Sequence, residues 1–163
     1  MNSPSQQQIE ITNNQSSIEI DSQTLLNIAQ QVLSLQNMPN AEISVVIVDN
    51  ETIHNVNNEF LQHDFPTDVI TFPMCELSEV SQLQPLEGEI VISAEMAQEI
   101  AQTVGWQTMD EIALYLIHGL LHLCGFDDLN EPDQLAMRQQ EHAMLIATNM
   151  TPQPNDPRWQ NLN

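Results

Sequence analysis

Two hydrophobic rhythms alternate along the chain. Leu25, Leu26, Ile28, Ala29, Val32 and Leu33 recur at intervals of three and four, the spacing of one helix face. Asp21 and Ser22 precede them and supply N-cap side chains, and the helix should end near 37–39. Ile43, Val45, Val46, Ile47 and Val48 make 42–48 a short β-branched run, the mark of a buried strand. After a turn at Asp49-Asn50, a second helix is expected over 51–61, with Ile53, Val56, Asn57 and Phe60 facing inward and His54 on the surface. Residues 62–68 read as a loop, 69–72 as a strand, 74–87 as a polar connection and 89–93 as another strand. A helix over 95–104 stops at Gly105. Asp110 and Glu111 then open a long helix, where negative charge favours the dipole. Glu131-Pro132 begins the last helix, with Leu135, Met137, His142 and Leu145 along it.

The ends are less patterned. Residues 1–8 read as a disordered tail. Both 9–12 and 17–20 alternate apolar and polar positions, and 9–12 is taken as the first strand. Three prolines within 151–163 predict a flexible C-terminal tail. Nothing in 9–150 suggests an internal repeat or a linker, so one domain is expected there.

Composition changes this picture in one respect. With 163 residues and 41% hydrophobic content the chain can bury a proper core. No run is apolar enough to span a bilayer, the start is too polar for a signal peptide, and Cys75 and Cys124 form no C-x-x-C, so a cytoplasmic protein is expected. Charge is the anomaly: 23 acidic residues face only Arg138 and Arg158, for a net charge of −21. Nonspecific affinity for nucleic acid needs a basic patch to displace counterions, and none is available here.

The candidate chemistry sits in H-G-L-L-H-L-C-G-F-D-D, residues 118–128. On a helix His118 and His122 project from one face, one turn apart. Gly125 offers a stop, and if the chain folds back there, Asp127 or Asp128 can meet both imidazoles. Two nitrogens and one oxygen, with a fourth position open, is the ligand count of a catalytic zinc site. Two histidines at this spacing also occur by chance as hydrogen-bonded core residues. Two features favour metal: Gly119 costs the helix roughly 1 kcal/mol relative to Ala, and His118–His122–Asp128 repeats the spacing at which a glycine turn delivers a third ligand in metzincins. The glutamate that follows the first histidine in H-E-x-x-H metalloproteases is replaced by Gly119, which speaks against peptide hydrolysis by that route.

The same run resembles the H-G-x-L-H-L-x-G-Y-D-H signature of the YbeY family, the endoribonucleases of rRNA maturation. P-T-D-V-I-T-F-P at 66–73 and G-E-I-V-I-S at 88–93 are similar to two further family blocks, and Glu131, Met137 and Glu141 to its closing helix. Two departures stand out: the family's third metal histidine is Asp128 here, and its arginine falls on Leu61. With the elements above, the resemblance implies an α+β single domain. About four strands would form a small mixed sheet, packed with about five helices that include a zincin-like metal helix and a groove wall beside it. It further implies one zinc ion on His118, His122 and Asp128, with Asp127 as general base or as a partner orienting a histidine. The implied function is metal-dependent cutting of single-stranded rRNA at the small-subunit 3′ end. The expected partners are that rRNA, the small ribosomal subunit and assembly proteins, with neither DNA nor membrane. The alternative is a weakly active or inactive zinc-stabilised assembly factor working through proteins.

Self-repulsion at this net charge destabilises the folded state and is screened by salt. The melting temperature should therefore rise as NaCl or Mg²⁺ is added, in calorimetry at fixed pH; a fall with added salt would contradict it.

Overall fold

The computed structural model describes residues 6–163. In chain order these form β1 (Gln6–Asn13), α1 (Ser22–Leu35), β2 (Asn40–Val48), α2 (Asn50–Leu61), β3 (Val69–Pro73), β4 (Leu86–Ser93), α3 (Ala94–Val104), α4 (Thr108–Leu123) and α5 (Glu131–Ala147). The strands make one mixed sheet in the order β1-β2-β4-β3. β1 and β4 both run parallel to β2, whereas β3 pairs antiparallel with β4 at the edge. This is the expected α+β domain of four strands and five helices. No helix among the described residues is long and apolar enough to cross a membrane.

Alternation along the strands divides the core into two layers. Ile43, Val45, Ile47, Ile90 and Ile92 share the main cluster with Leu25, Val32 and Leu33 of α1 and Ile112, Leu116 and Leu120 of α4. Val91 of β4 faces the other way, packing with Val48, Ile53 and Ile70 beneath α2. α4 is buried almost all round, as a central helix must be. It lies hard against β4, and two glycines permit that approach. A Cβ on Gly119 would stand 2.8 Å from Cγ2 of Ile90, and one on Gly88 would stand 2.5 Å from Cδ2 of Leu123. The bare backbone beside His118 thus serves helix–sheet packing.

Several expectations need correction. Gln6, Gln7 and Gln8 pair with Asn40, Ala41 and Glu42, so they open β1 rather than belonging to a tail over 1–8; residues 1–5 lie outside the described residues. A ladder holds them through main-chain bonds, which polar side chains do not announce. β4 begins at Leu86, inside the span read as a polar connection. Phe60 is 62% exposed, although it was expected to face inward, and Leu135 on the last helix is exposed as well. The inner faces instead run through Ile53 and Asn57 on α2 and through Met137, Glu141, Met144 and Leu145 on α5.

The largest correction concerns 151–163. The segment is pinned, not flexible: Arg158 donates two hydrogen bonds to the fully buried Glu111 of α4, at 2.6 and 2.9 Å, and further ones to buried Asp156. Trp106 Nε1 donates to the same Glu111 carboxylate at 2.7 Å, and the guanidinium sits within 6 Å of both the Trp106 and Trp159 ring centroids. Proline content gave no hint of this, because the anchor is an ion pair between residues far apart in sequence. Replacing Arg158 by Ala leaves two buried carboxylates uncompensated, so a loss of about 3–5 kcal/mol is expected in urea unfolding. A loss under about 1 kcal/mol would mean that the pair behaves as a solvated surface contact.

Candidate metal centre

The centre is built at the C-terminal end of α4. His118 and His122 lie one turn apart with ring centroids 4.5 Å apart and planes at 85°, bringing their Nε2 atoms to 3.0 Å. The helix then closes through a left-handed Gly125, at φ +103°. The Gly125 N–H donates to the His122 carbonyl and the Phe126 N–H to that of Leu121, both at 3.0 Å. This is the Schellman arrangement, with Phe126 packed on the core as its apolar clasp. It returns the chain toward the histidines, and the Asp128 carbonyl accepts from the Gln134 side chain of α5 at 3.1 Å.

As a result Asp128 Oδ2 stands 3.6 Å from Nε2 of each histidine. The three ligand atoms all lie within 4.8 Å of one another. A tetrahedral ion with bonds of about 2.0–2.1 Å holds its ligand atoms roughly 3.3 Å apart, so separations of 3.0, 3.6 and 3.6 Å suit one ion with little movement. The donor chemistry agrees with the spacing. Glu141 Oε1 lies 2.6 Å from His118 Nδ1. A carboxylate there accepts the Nδ1 proton and leaves the Nε2 lone pair aimed at the cluster. Glu141 is fully buried, and its other oxygen accepts from Arg138 Nη1 at 2.7 Å.

Glu141 is the site residue that sequence reasoning missed. It was noted only as part of a similar helix, yet it carries a charge on an otherwise apolar inner face. A charged residue placed among Met137, Met144 and Leu145 needs a partner, and that signal was present. Asp127 makes no hydrogen bond to either imidazole among the described residues; its Oδ1 accepts from the Asp128 N–H at 2.9 Å. Of the two carboxylates, Glu141 and not Asp127 is the one within hydrogen-bond reach of a histidine ring.

His118, His122 and Asp127 open onto a groove of about 470 Å³. Its far wall is the edge strand β3, through Val69, Ile70, Thr71 and Pro73, and its end is formed by Leu61, His63 and Phe65. Leu61 thus stands in the groove, where the family arginine was expected to matter, and no arginine or lysine lines that wall. The remaining candidates fall elsewhere. Asp68 Oδ1 accepts from the Val69 N–H at 2.8 Å, the turn-forming role expected of it. His54 pairs with Asp64 on the surface, and His142 packs edge-on against Trp159. Burial pushes the Cys124 thiol up to about 12, so it offers no thiolate at neutral pH.

The family model described as endoribonuclease YbeY matches residues 10–149, and the chain belongs to that family. It is 43% identical over 131 residues to the endoribonuclease YbeY of Sulfurovum sp., covering 78% of this chain and 88% of its relative. The Carboxydothermus hydrogenoformans endoribonuclease YbeY is 38% identical over 141 residues, covering 85% and 95% respectively. The solution structure of a Thermotoga maritima protein superimposes with a TM-score of 0.57 at 22% identity, over 91% of this chain and 97% of that one, which speaks for the fold alone.

Removing a hydrogen-bonded partner of a metal-binding histidine typically weakens metal binding 10–100-fold. Glu141→Gln should weaken Zn²⁺ affinity by roughly that factor in chelator competition, and Asp128→Ala by more. Unchanged affinity in Asp128→Ala would remove that carboxylate from the ligand set.

Proposed function

We propose that this endoribonuclease cuts single-stranded rRNA in a metal-dependent reaction, at the 3′ end of the small-subunit rRNA. We assign one zinc ion to His118, His122 and Asp128. The observation that carries the reading is the convergence of those three ligand atoms within 4.8 Å, with both histidines opening onto the groove. When bound there, zinc supplies a Lewis acid for a phosphoryl oxygen and brings the pKa of a water toward about 7.

The protein's own groups have separate tasks. Glu141 keeps the proton of His118 on Nδ1, and Arg138 offsets the charge of that buried carboxylate. Asp128 makes the ligand set less positive than three histidines would. Asp127, exposed at the groove, is the candidate general base: one of its oxygens is engaged by the Asp128 N–H, and the other has no hydrogen bond among the described residues. Leu61 in the groove offers no charge to a phosphate, where an arginine would. Gly119, packed on Ile90, leaves no glutamate for the peptidase route.

The alternative of an inactive assembly factor is not favoured, since membership in an endoribonuclease family carries the activity with it. The small ribosomal subunit and its assembly proteins in the cytoplasm are the partners and setting that suit such a substrate. The test offers end-labelled RNA, single- and double-stranded, to purified protein with and without chelator. Cutting of the single strand should stop with chelator and in His122→Ala, and return when Zn²⁺ is restored to the wild type alone. Cutting that survives both treatments would overturn the proposal.

A further inference from the structure

One end of the groove carries a feature that neither the metal nor its ligands explain. Phe65 is 53% exposed, in a segment with no apolar cluster of its own to join. Its ring stacks on that of His63 with centroids 5.4 Å apart and planes within 10°. Both residues line the same groove as His118 and His122. The loop presenting them is held at several points. Gln62 ends α2 in a left-handed conformation at φ 58°, and the His63 N–H donates to the Asn57 carbonyl at 3.1 Å. The buried Asn57 side chain donates to the Phe65 carbonyl at 2.9 Å, and Asp64 pairs with His54 at 2.7 Å. These bonds fix the backbone from which the two rings project, which reduces the ordering cost of binding there.

Charge narrows what that platform can hold. A nucleic acid is usually gripped through its phosphates, but this chain has two cations in all, and both are committed. Arg158 bonds Glu111 and Asp156, and Arg138 bonds Glu141. Neither lines the groove, and both instead line the adjoining pocket that shares His118 and Asp128. Against a net charge of −21, a strand can be retained there chiefly by contacts that do not depend on phosphate charge. Base stacking on aromatic rings is such a contact, and it tolerates any base because every base has a π face.

We propose that His63 and Phe65 form a nucleobase-stacking subsite that holds an unpaired base beside the metal centre. This rests on the single-stranded RNA reading above and adds how the strand is retained. Pairing would hide the base faces inside a duplex, so the subsite itself favours single strands. Thr67 and Thr71 along the same wall offer hydroxyls to the sugar and phosphate without adding charge.

The test measures equilibrium binding of the full-length, zinc-loaded protein to a fluorescent 2′-O-methyl octa-adenylate, and to an abasic octamer of equal charge, across a salt series. Wild type should bind the adenylate at least about 10-fold more tightly than the abasic strand, with affinity that does not fall as salt rises. Phe65→Ala and Phe65→Leu should both lose most of that preference, while Phe65→Trp retains it and shows indole quenching on binding. Phe65 is half exposed, so thermal melts should match the wild type and exclude misfolding as the cause. If the wild type prefers adenylate but Phe65→Ala binds as well as it does, the stacking subsite is wrong while the RNA reading stands. Equal affinity of the wild type for adenylate and abasic strands would likewise overturn the subsite and leave the exposed ring to a protein contact. No binding of either oligonucleotide at any salt would remove both the subsite and the RNA reading.

Discussion

The closeness of α4 to β4 is the constraint on which the rest depends. Gly119 and Gly88 are positions where a methyl group would collide with Ile90 and Leu123. Their absence of side chain lets the histidine helix lie flat on a central strand of the sheet. Protein interiors are packed too densely to absorb such a displacement elsewhere. Because the sheet sets the height of α4, it also sets the distance from His118 and His122 to β3, which pairs with β4 at the sheet edge. The groove and the ligand cluster thus inherit their geometry from one helix–strand contact.

Charge is organised on the same principle of scarcity. A chain of net charge −21 with two arginines places both beside fully buried carboxylates. Arg158 closes the pocket around Glu111 and ties the C-terminal segment to the first turn of α4. Arg138 bonds Glu141, which in turn bonds His118. Breaking either pair would strand a charge in the interior, so both cations have a structural task, at the rim of a second pocket shared with His118 and Asp128. The groove is left with a metal site, two hydroxyls on β3 and its loop, and aromatic rings. That combination suits a substrate met at one reactive phosphate and held elsewhere by its bases.

The two ends of α4 differ in how they are fastened, and the difference bears on function. At its start a capping box joins Gln107 and Asp110, and Glu111 is locked by Arg158 and Trp106. At its end the Schellman turn, the Asp128 N–H bond to Asp127 and the Gln134 bond to the Asp128 carbonyl hold the return loop. Asp128 is also the most exposed of the three ligands.

What the sequence determined by itself is what local geometry can encode. The apolar spacing from Leu25 to Leu33 made a helix, the β-branched run after Ile43 made a strand, and His118, His122 and Gly125 spelled out two candidate ligands and the turn that brings Asp128 to them. Each of these depends on residues within a few positions of one another, and their periods are those of the backbone itself. Tertiary structure alone decided the remainder. Glu141 reaches His118 from another helix, Arg158 finds Glu111 from the far end of the chain, and His63 and Phe65 share a groove with the histidines across β3. Gln6–Gln8 become a strand only because β2 offers them a ladder. None of these pairings leaves a periodic trace, because burial and hydrogen bonding between distant segments are settled by how the layers stack and not by the order of neighbours.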